Sequence, residues 1–100
     1  MKSIKELNIC NNNLSNLEGI ENMSKITGLW ASNNKINNIS ILSNKNEIVN
    51  LSLDNNKISD ISTISNFRKL KSLKLDKNNI SNYKPLKDIY KKLVDPDFSI

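Results

Sequence analysis

The sequence contains no histidine and only one cysteine, Cys10. Catalytic triads and most zinc sites require histidine or several cysteines, so the sequence excludes both kinds of site. A single cysteine cannot form a disulfide within the chain, and without histidine it lacks the usual activating base. We therefore expect no catalytic residue, no bound metal and no cofactor, and we expect that the protein is not an enzyme.

Long apolar runs are also missing. The opening stretch MKSIKELNIC has no hydrophobic segment of the length found in secretory signal peptides. No stretch approaches the roughly 20 apolar residues that cross a bilayer. As written, the sequence predicts a cytoplasmic protein without a membrane span, and a signal upstream of this sequence would change that prediction.

Arginine is scarce as well, although the formal net charge is +5. Six lysines balance six acids up to Phe67, and the excess comes from nine basic residues against four acids between Arg68 and Ile100. A basic end can attract nucleic acid or an acidic surface. Because Arg68 is the only arginine, and arginine forks dominate phosphate and base recognition, a solvated lysine-rich edge is the preferred interpretation. Its lysines are Lys69, Lys71, Lys74, Lys77, Lys84, Lys87, Lys91 and Lys92.

The sequence does contain a repeat of 22 residues that no insertion or deletion interrupts. Apolar residues recur at fixed positions in every unit, and Lys45 is the one polar residue in these columns. Three informative columns are Leu7, Leu29, Leu51 and Leu73; Ile9, Ala31, Leu53 and Leu75; and Asn12, Asn34, Asn56 and Asn78.

The alternation within each unit, as in Leu51 and Leu53, has the period of a short strand. We expect parallel strands near 6–10, 28–32, 50–54 and 72–76. The asparagine column follows each strand, at a turn. An asparagine amide offers one acceptor and two donors, so a buried asparagine ladder at Asn12, Asn34, Asn56 and Asn78 can satisfy backbone groups that a sharp turn leaves unpaired.

This pattern resembles the leucine-rich-repeat family in its short 22-residue subclass. The stretch LSLDNNKISDIS from Leu51 to Ser62 is very similar to internalin-type bacterial repeats, and Pro85-Leu86 matches their convex side. Eukaryotic phosphatase regulators with repeats of this length are similar too. The resemblance implies an α/β solenoid of about four repeats, with a short parallel sheet on the concave face, an irregular or 3-10 convex side and a short C-terminal helix.

We expect the solenoid to cover residues 1–89, with repeats that begin at Ile4, Ile26, Ile48 and Leu70, and a capping segment to cover 84–100. Spacings of three and four place Leu86, Ile89, Tyr90, Leu93 and Val94 on one face of a helix, with Phe98 and Ile100 beneath it. The alternative is an ordinary convex segment with a frayed tail.

At the other end, only Met1–Ser3 precede the first repeat, whereas the resemblance implies a helical cap. This difference suggests a fragment, a shortened reading frame or an end that a partner covers. A fragment of a larger internalin-like protein would be secreted or would lie at the cell surface.

Strand side chains that do not face the core line the concave surface. Trp30 is the only tryptophan, and exposed tryptophan is enriched in binding hot spots. Its ring either is accessible to a partner, because Gly28 and Ser32 leave room beside it, or lies flat over the gap at Gly28. The predicted partner-binding residues are Trp30, Asn8, Ser32, Asn50, Ser52, Asp54, Lys74 and Asp76.

Two carboxylates, Asp54 and Asp76, occupy equivalent positions on neighbouring strands. An acid–base pair or a weak cation site is conceivable there. A solvated polar patch is the preferred interpretation because Lys74 and Lys77 are near.

Protein binding on the concave face is the function that the resemblance implies. Four alternatives remain open: a structural repeat segment without its own ligand, a fragment of an internalin-like surface protein, a scaffold like the phosphatase regulators, and binding of an acidic surface or nucleic acid through the lysine-rich end.

Overall fold

The structure is a computed structural model that describes residues 4–100. Residues 1–3, with which the predicted solenoid domain begins, lie outside the described residues. Four strands form one parallel sheet in chain order. They are β1 (Glu6–Asn8), β2 (Gly28–Trp30), β3 (Asn50–Ser52) and β4 (Ser72–Lys74).

The register of the sheet follows the repeat. Leu7 pairs with Leu29, Leu29 with Leu51, and Leu51 with Leu73, so each strand is displaced from the next by one repeat. This arrangement confirms the predicted solenoid with its parallel sheet.

The strands are shorter than expected, with three residues each. The shortening has a local cause, because the chain turns sharply soon after each strand. Asn11, Asn33, Asn55 and Lys77 stand at this turn with φ between 57° and 62°. Asparagine tolerates this left-handed conformation better than most residues, which explains why it recurs there.

The convex side consists of short 3-10 turns, as the resemblance implied. They cover Ile20–Asn22, Ser40–Leu42, Ser62–Asn66 and Lys84–Leu86. An Asn or Asp side chain precedes each turn and accepts a hydrogen bond from the backbone N–H two residues further on. This geometry favours the start of a tight turn. The side chains are Asn16, Asn38, Asp60 and Asn82, a column that the sequence analysis did not identify.

The apolar columns form the core between the sheet and the convex side. Leu29, Leu51 and Leu73 are fully buried. The polar exception, Lys45, is buried as well, and its Nζ donates a hydrogen bond to the Glu21 carbonyl oxygen at 3.1 Å. The aliphatic part of Lys45 therefore fills the column while its ammonium group is satisfied by the preceding repeat.

The C-terminal segment contains one turn of helix, α1 (Lys87–Tyr90), directly after the turn that holds Pro85. Leu86 and Ile89 are buried, and Phe98 stacks on Tyr83 with ring centroids 5.1 Å apart. The predicted short C-terminal helix is thus confirmed, although it ends earlier than the apolar spacing suggested.

Two apolar residues of this segment do not lie where we expected them. Val94 is 64% exposed and Ile100 is 54% exposed. By Val94 the chain has left the helix, and the Val94 N–H bonds to the Lys71 carbonyl oxygen at 2.8 Å. Val94 therefore occupies the position that Ser72 has in the preceding repeat, where the side chain lies outside the core.

Asp97 caps the far side of β4. It stands in register with Leu75, but its carboxylate accepts hydrogen bonds from the backbone N–H groups of Leu75 and Asp76 at 2.7 and 3.1 Å. In earlier repeats the N–H groups equivalent to that of Leu75, those of Ile9, Ala31 and Leu53, bond to carbonyl oxygens of the next repeat. A side chain thus replaces the next strand at this edge.

Candidate partner-binding surface

The concave face is built from the strand residues on either side of the central leucine of each strand. Because side chains alternate along a strand, the neighbours of the leucines project from the opposite face of the sheet. On β1 both neighbours, Glu6 and Asn8, are exposed. The partly buried members of this face are Trp30, Asn50, Ser52, Ser72 and Lys74.

Trp30 lies over Gly28, two residues earlier on β2. A Cβ atom placed on Gly28 would lie 2.6 Å from Cη2 and 2.8 Å from Cζ3 of the ring. Real side chains do not tolerate such contacts, so this ring orientation requires glycine at position 28. Of the two ring positions that the sequence allowed, the ring takes the one over the gap at Gly28, and Trp30 remains partly exposed.

A shallow hollow of about 370 Å³ lies beside this ring, lined by Glu6, Leu7, Asn8 and Trp30. Glu6 contributes a carboxylate, Asn8 an amide and Trp30 an aromatic surface. The Asn8 side-chain oxygen accepts a hydrogen bond from the Cys10 N–H at 3.1 Å, which orients the amide. Glu6 is not among the binding residues that the sequence predicted.

Ser32 and Asp54 belong to adjacent repeats and are joined by a side-chain hydrogen bond. The Ser32 hydroxyl donates to Oδ1 of Asp54 at 2.5 Å. Asp76, the equivalent of Asp54 in the next repeat, is exposed. The structure therefore connects Asp54 to a serine in the preceding repeat rather than to a second carboxylate.

Lys74 is directed towards the C-terminal edge. Its Nζ donates to the Asp95 carbonyl oxygen at 2.5 Å. Of the predicted binding residues Lys74 carries the only positive charge, and this contact places that charge next to the capping segment.

The asparagine column links successive repeats through the backbone. The Asn56 amide nitrogen donates to the carbonyl oxygens of Ala31 and Leu53, both at 3.0 Å, and its oxygen accepts from the Ile36 N–H. Asn34 and Asn78 make the same kinds of contact. The Asn12 amide, in the first repeat, donates only to carbonyl oxygens of its own repeat, those of Ile9 and Cys10.

A second asparagine ladder lies outside the core. The Asn33 amide nitrogen donates to the Asn11 side-chain oxygen at 2.8 Å, and Asn55 donates in the same way to Asn33. Sequence reasoning missed this ladder, although asparagine recurs at these positions with the same period of 22. Lys77 ends it in the fourth repeat.

The lysine-rich end is partly neutralised by contacts within the chain. Lys69 forms a 2.8 Å salt bridge with Glu47, although both side chains are more than half exposed. Near this end, burial raises the pKa of Tyr83, and the negative charges of Asp76 and Asp97 raise it further. Both acids lie close to the lysine-rich end and reduce its attraction for anions.

Within residues 4–100, no group of three or more potential metal-ligating side chains comes together. No helix in this part of the chain has the length and apolar character needed to cross a membrane.

Comparison with protein-family models gives no match, and comparison with curated proteins gives none either. Solved structures do match. An internalin (inlF) of Listeria monocytogenes shares 34% identity over 96% of this chain, with a TM-score of 0.87. An internalin C2 of the same species shares 25% identity over 98% of the chain, with a TM-score of 0.69. A leucine-rich-repeat protein of Leptospira interrogans shares 28% identity over 95% of the chain, with a TM-score of 0.76.

The chain spans only part of these proteins, namely 29%, 53% and 25% of their respective lengths. The likeness nevertheless extends over nearly all of this chain, and it agrees with the observed register of 22 residues and with the 3-10 convex side. The chain is therefore a leucine-rich-repeat solenoid with an internalin-like fold.

Proposed function

We propose that this chain is a non-enzymatic protein-binding module that contacts its partner through the concave face, with Trp30 at the centre of the contact. The observation that carries this proposal is the orientation of Trp30. The ring is held over Gly28 and is still partly exposed. A partner that covered it would therefore bury a large aromatic surface with little loss of side-chain freedom.

The surroundings of Trp30 support this proposal. Small polar side chains such as Asn50 and Ser52 on β3 leave the ring accessible from the concave side. Hot spots of interfaces are typically an aromatic anchor within a polar rim. The similarity to internalins, which share this repeat architecture, favours an interaction scaffold over an enzyme.

The test uses a photo-reactive residue at one of two positions in the tagged chain. Ser52 is on the concave face, and Asn46 is exposed on the convex side. We expect a cross-linked protein from extracts of the source cells with the residue at position 52 and not at position 46. The untagged chain should compete for the partner and suppress this product. The untagged Trp30→Ala chain should compete at least about tenfold less well.

A urea unfolding curve of the Trp30→Ala chain is the control, because loss of the fold would also abolish binding. The Trp30→Phe chain, which keeps an aromatic ring over Gly28, should compete at an intermediate level. Products from position 46 alone, or equal competition by the Trp30→Ala chain, would place the partner elsewhere.

A further inference from the structure

The hollow beside Trp30 combines an acid with an aromatic surface. A Cβ atom placed on Gly28 would lie 3.5 Å from Cγ of Glu6 as well as against the Trp30 ring, so the two side chains meet over this glycine. Leu7 and Asn8 complete the hollow. Glu6 is exposed and able to turn its carboxylate towards a ligand that rests on the ring.

The charged side chains at the concave strand positions near this hollow are acidic, in contrast to the net charge of the chain. The concave positions of β1–β3 and of the residues that directly follow them include Glu6 and Asp54 and no lysine or arginine. The nearest concave lysine along the sheet, Lys74, bonds to the Asp95 carbonyl oxygen at the opposite edge. This part of the surface therefore attracts cations although the whole chain is basic.

From these features we infer that the hollow receives the guanidinium group of an arginine side chain on the partner protein. A guanidinium stacks on an indole face and at the same time donates a pair of hydrogen bonds to a carboxylate. The apolar Leu7 side chain suits the aliphatic stem of arginine. Lysine fits less well because its ammonium is a point charge without a stacking plane.

This inference rests on the proposed function and names the chemistry of the partner at the same site. An apolar partner residue would use the ring but leave the Glu6 carboxylate buried without a counter-charge, which is unfavourable. The phosphates of a nucleic acid would be repelled by the carboxylates of Glu6 and Asp54 on this face. The observations therefore favour a basic protein segment over these alternatives.

Trp30 itself is the reporter, because it is the only tryptophan in the chain. Short peptides with one central arginine, lysine, citrulline or leucine are titrated into the full chain at constant ionic strength while tryptophan emission is recorded. We expect saturable changes with the arginine peptide, binding at least about threefold weaker with lysine, and no saturation with citrulline, which has the shape of arginine without its charge.

Two matched variants test whether the Glu6 carboxylate contributes to binding of the arginine peptide. Glu6→Gln removes the charge at nearly constant shape and should weaken binding of the arginine peptide about fivefold. Glu47→Gln removes another exposed acid, one that pairs with Lys69 away from the concave face, and should leave binding unchanged. The emission spectrum of each free variant should match the parent chain, which shows that the ring has kept its position.

Equal responses to arginine and citrulline, a preference for the leucine peptide, or unchanged binding in the Glu6→Gln chain would each overturn the inference. The proposed function can fail separately. If cross-linking from position 52 succeeds while the arginine peptide does not bind, the concave face binds protein through other chemistry. If cross-linking fails as well, the protein-binding proposal fails too.

Discussion

The two edges of the sheet carry the same repeat but differ in how they are completed. At β4, the Asp97 carboxylate replaces the next strand, and Phe98 packs on Tyr83 and Tyr90. At β1, Leu7 and Ile9 remain partly exposed, whereas the equivalent residues in later repeats are fully buried. Burial in a solenoid is therefore supplied by both neighbouring repeats, and within residues 4–100 the first repeat packs against only one.

The candidate binding cluster and the lysine-rich end also lie at opposite edges of the sheet. The exposed acid, amide and tryptophan cluster at β1 and β2, next to the less complete edge. The lysines cluster at the capped edge. If this comparison is correct, substitutions should affect stability mainly from β2 onwards and binding mainly at β1 and β2.

The largest expected effect comes from truncating the leucine column. Leu51→Ala should lower the free energy of unfolding by about 3 kcal/mol, because Leu51 is fully buried and the cavity cannot close completely. Leu7→Ala removes the same atoms at a partly exposed site and should cost less than half as much. Urea denaturation of both chains measures the difference, and equal losses would contradict the comparison of the two edges.

Next in size is the asparagine ladder. Asn56→Ala leaves several buried backbone groups of two repeats unpaired and should cost about 2 kcal/mol or more. Asn12→Ala should cost about 1 kcal/mol or less, because the Asn12 amide is exposed and donates only within its own repeat. Thermal unfolding of the two variants tests this order. A larger loss of stability in the Asn12→Ala chain would contradict the assignment of the first repeat as the less stable edge.

The cap at β4 is tested through Asp97. Asp97→Ala should lower stability by about 1–2 kcal/mol, since the backbone N–H groups of Leu75 and Asp76 lose their acceptor. Asp97→Asn keeps one acceptor oxygen and should lose roughly half of that amount. Should the Ala and Asn chains both unfold like the parent, the edge would be completed by something other than this carboxylate.

The smallest effect is the pH dependence of the capped end. The pKa of Tyr83 is raised from 10.0 in the folded state, so the unfolded chain loses this proton first as the pH rises. The contribution to stability is present below pH 10 and is lost as the pH rises above that value. The Tyr83→Phe chain keeps the stacking on Phe98 and should lose less stability between pH 9 and pH 11 than the parent chain.

Most of the fold was predictable because the periodicity is strict. Eight apolar or asparagine columns recur with a step of 22, and the pattern of one repeat predicts the register of the next. The outer asparagine ladder was not predicted, because Asn33 and Asn34 are adjacent and only the backbone turn distinguishes them. Asp97 was not predicted either, since a carboxylate in an apolar column looks like the end of the repeat rather than its cap.

The site was predictable only in part. The period of two places Trp30 on the concave face, but the ring position depends on its side-chain torsions and on Gly28, which a periodicity does not specify. Glu6 becomes part of the site because its side chain and the Trp30 ring lie over the same glycine, Gly28. The exposed position of Val94 was missed because helical spacing continued in the sequence after the helix itself had ended.

Hydrogen exchange of the chain, alone and with the protein captured from position 52, tests the central claim most directly. In the free chain, amides of 28–30, 50–52 and 72–74 should be better protected than those of 6–8. In the complex, added protection should appear at 6–8 and 28–30 and not at 84–92. Protection confined to 84–92 would show that the partner binds the lysine-rich end and would contradict the assignment of the concave face around Trp30.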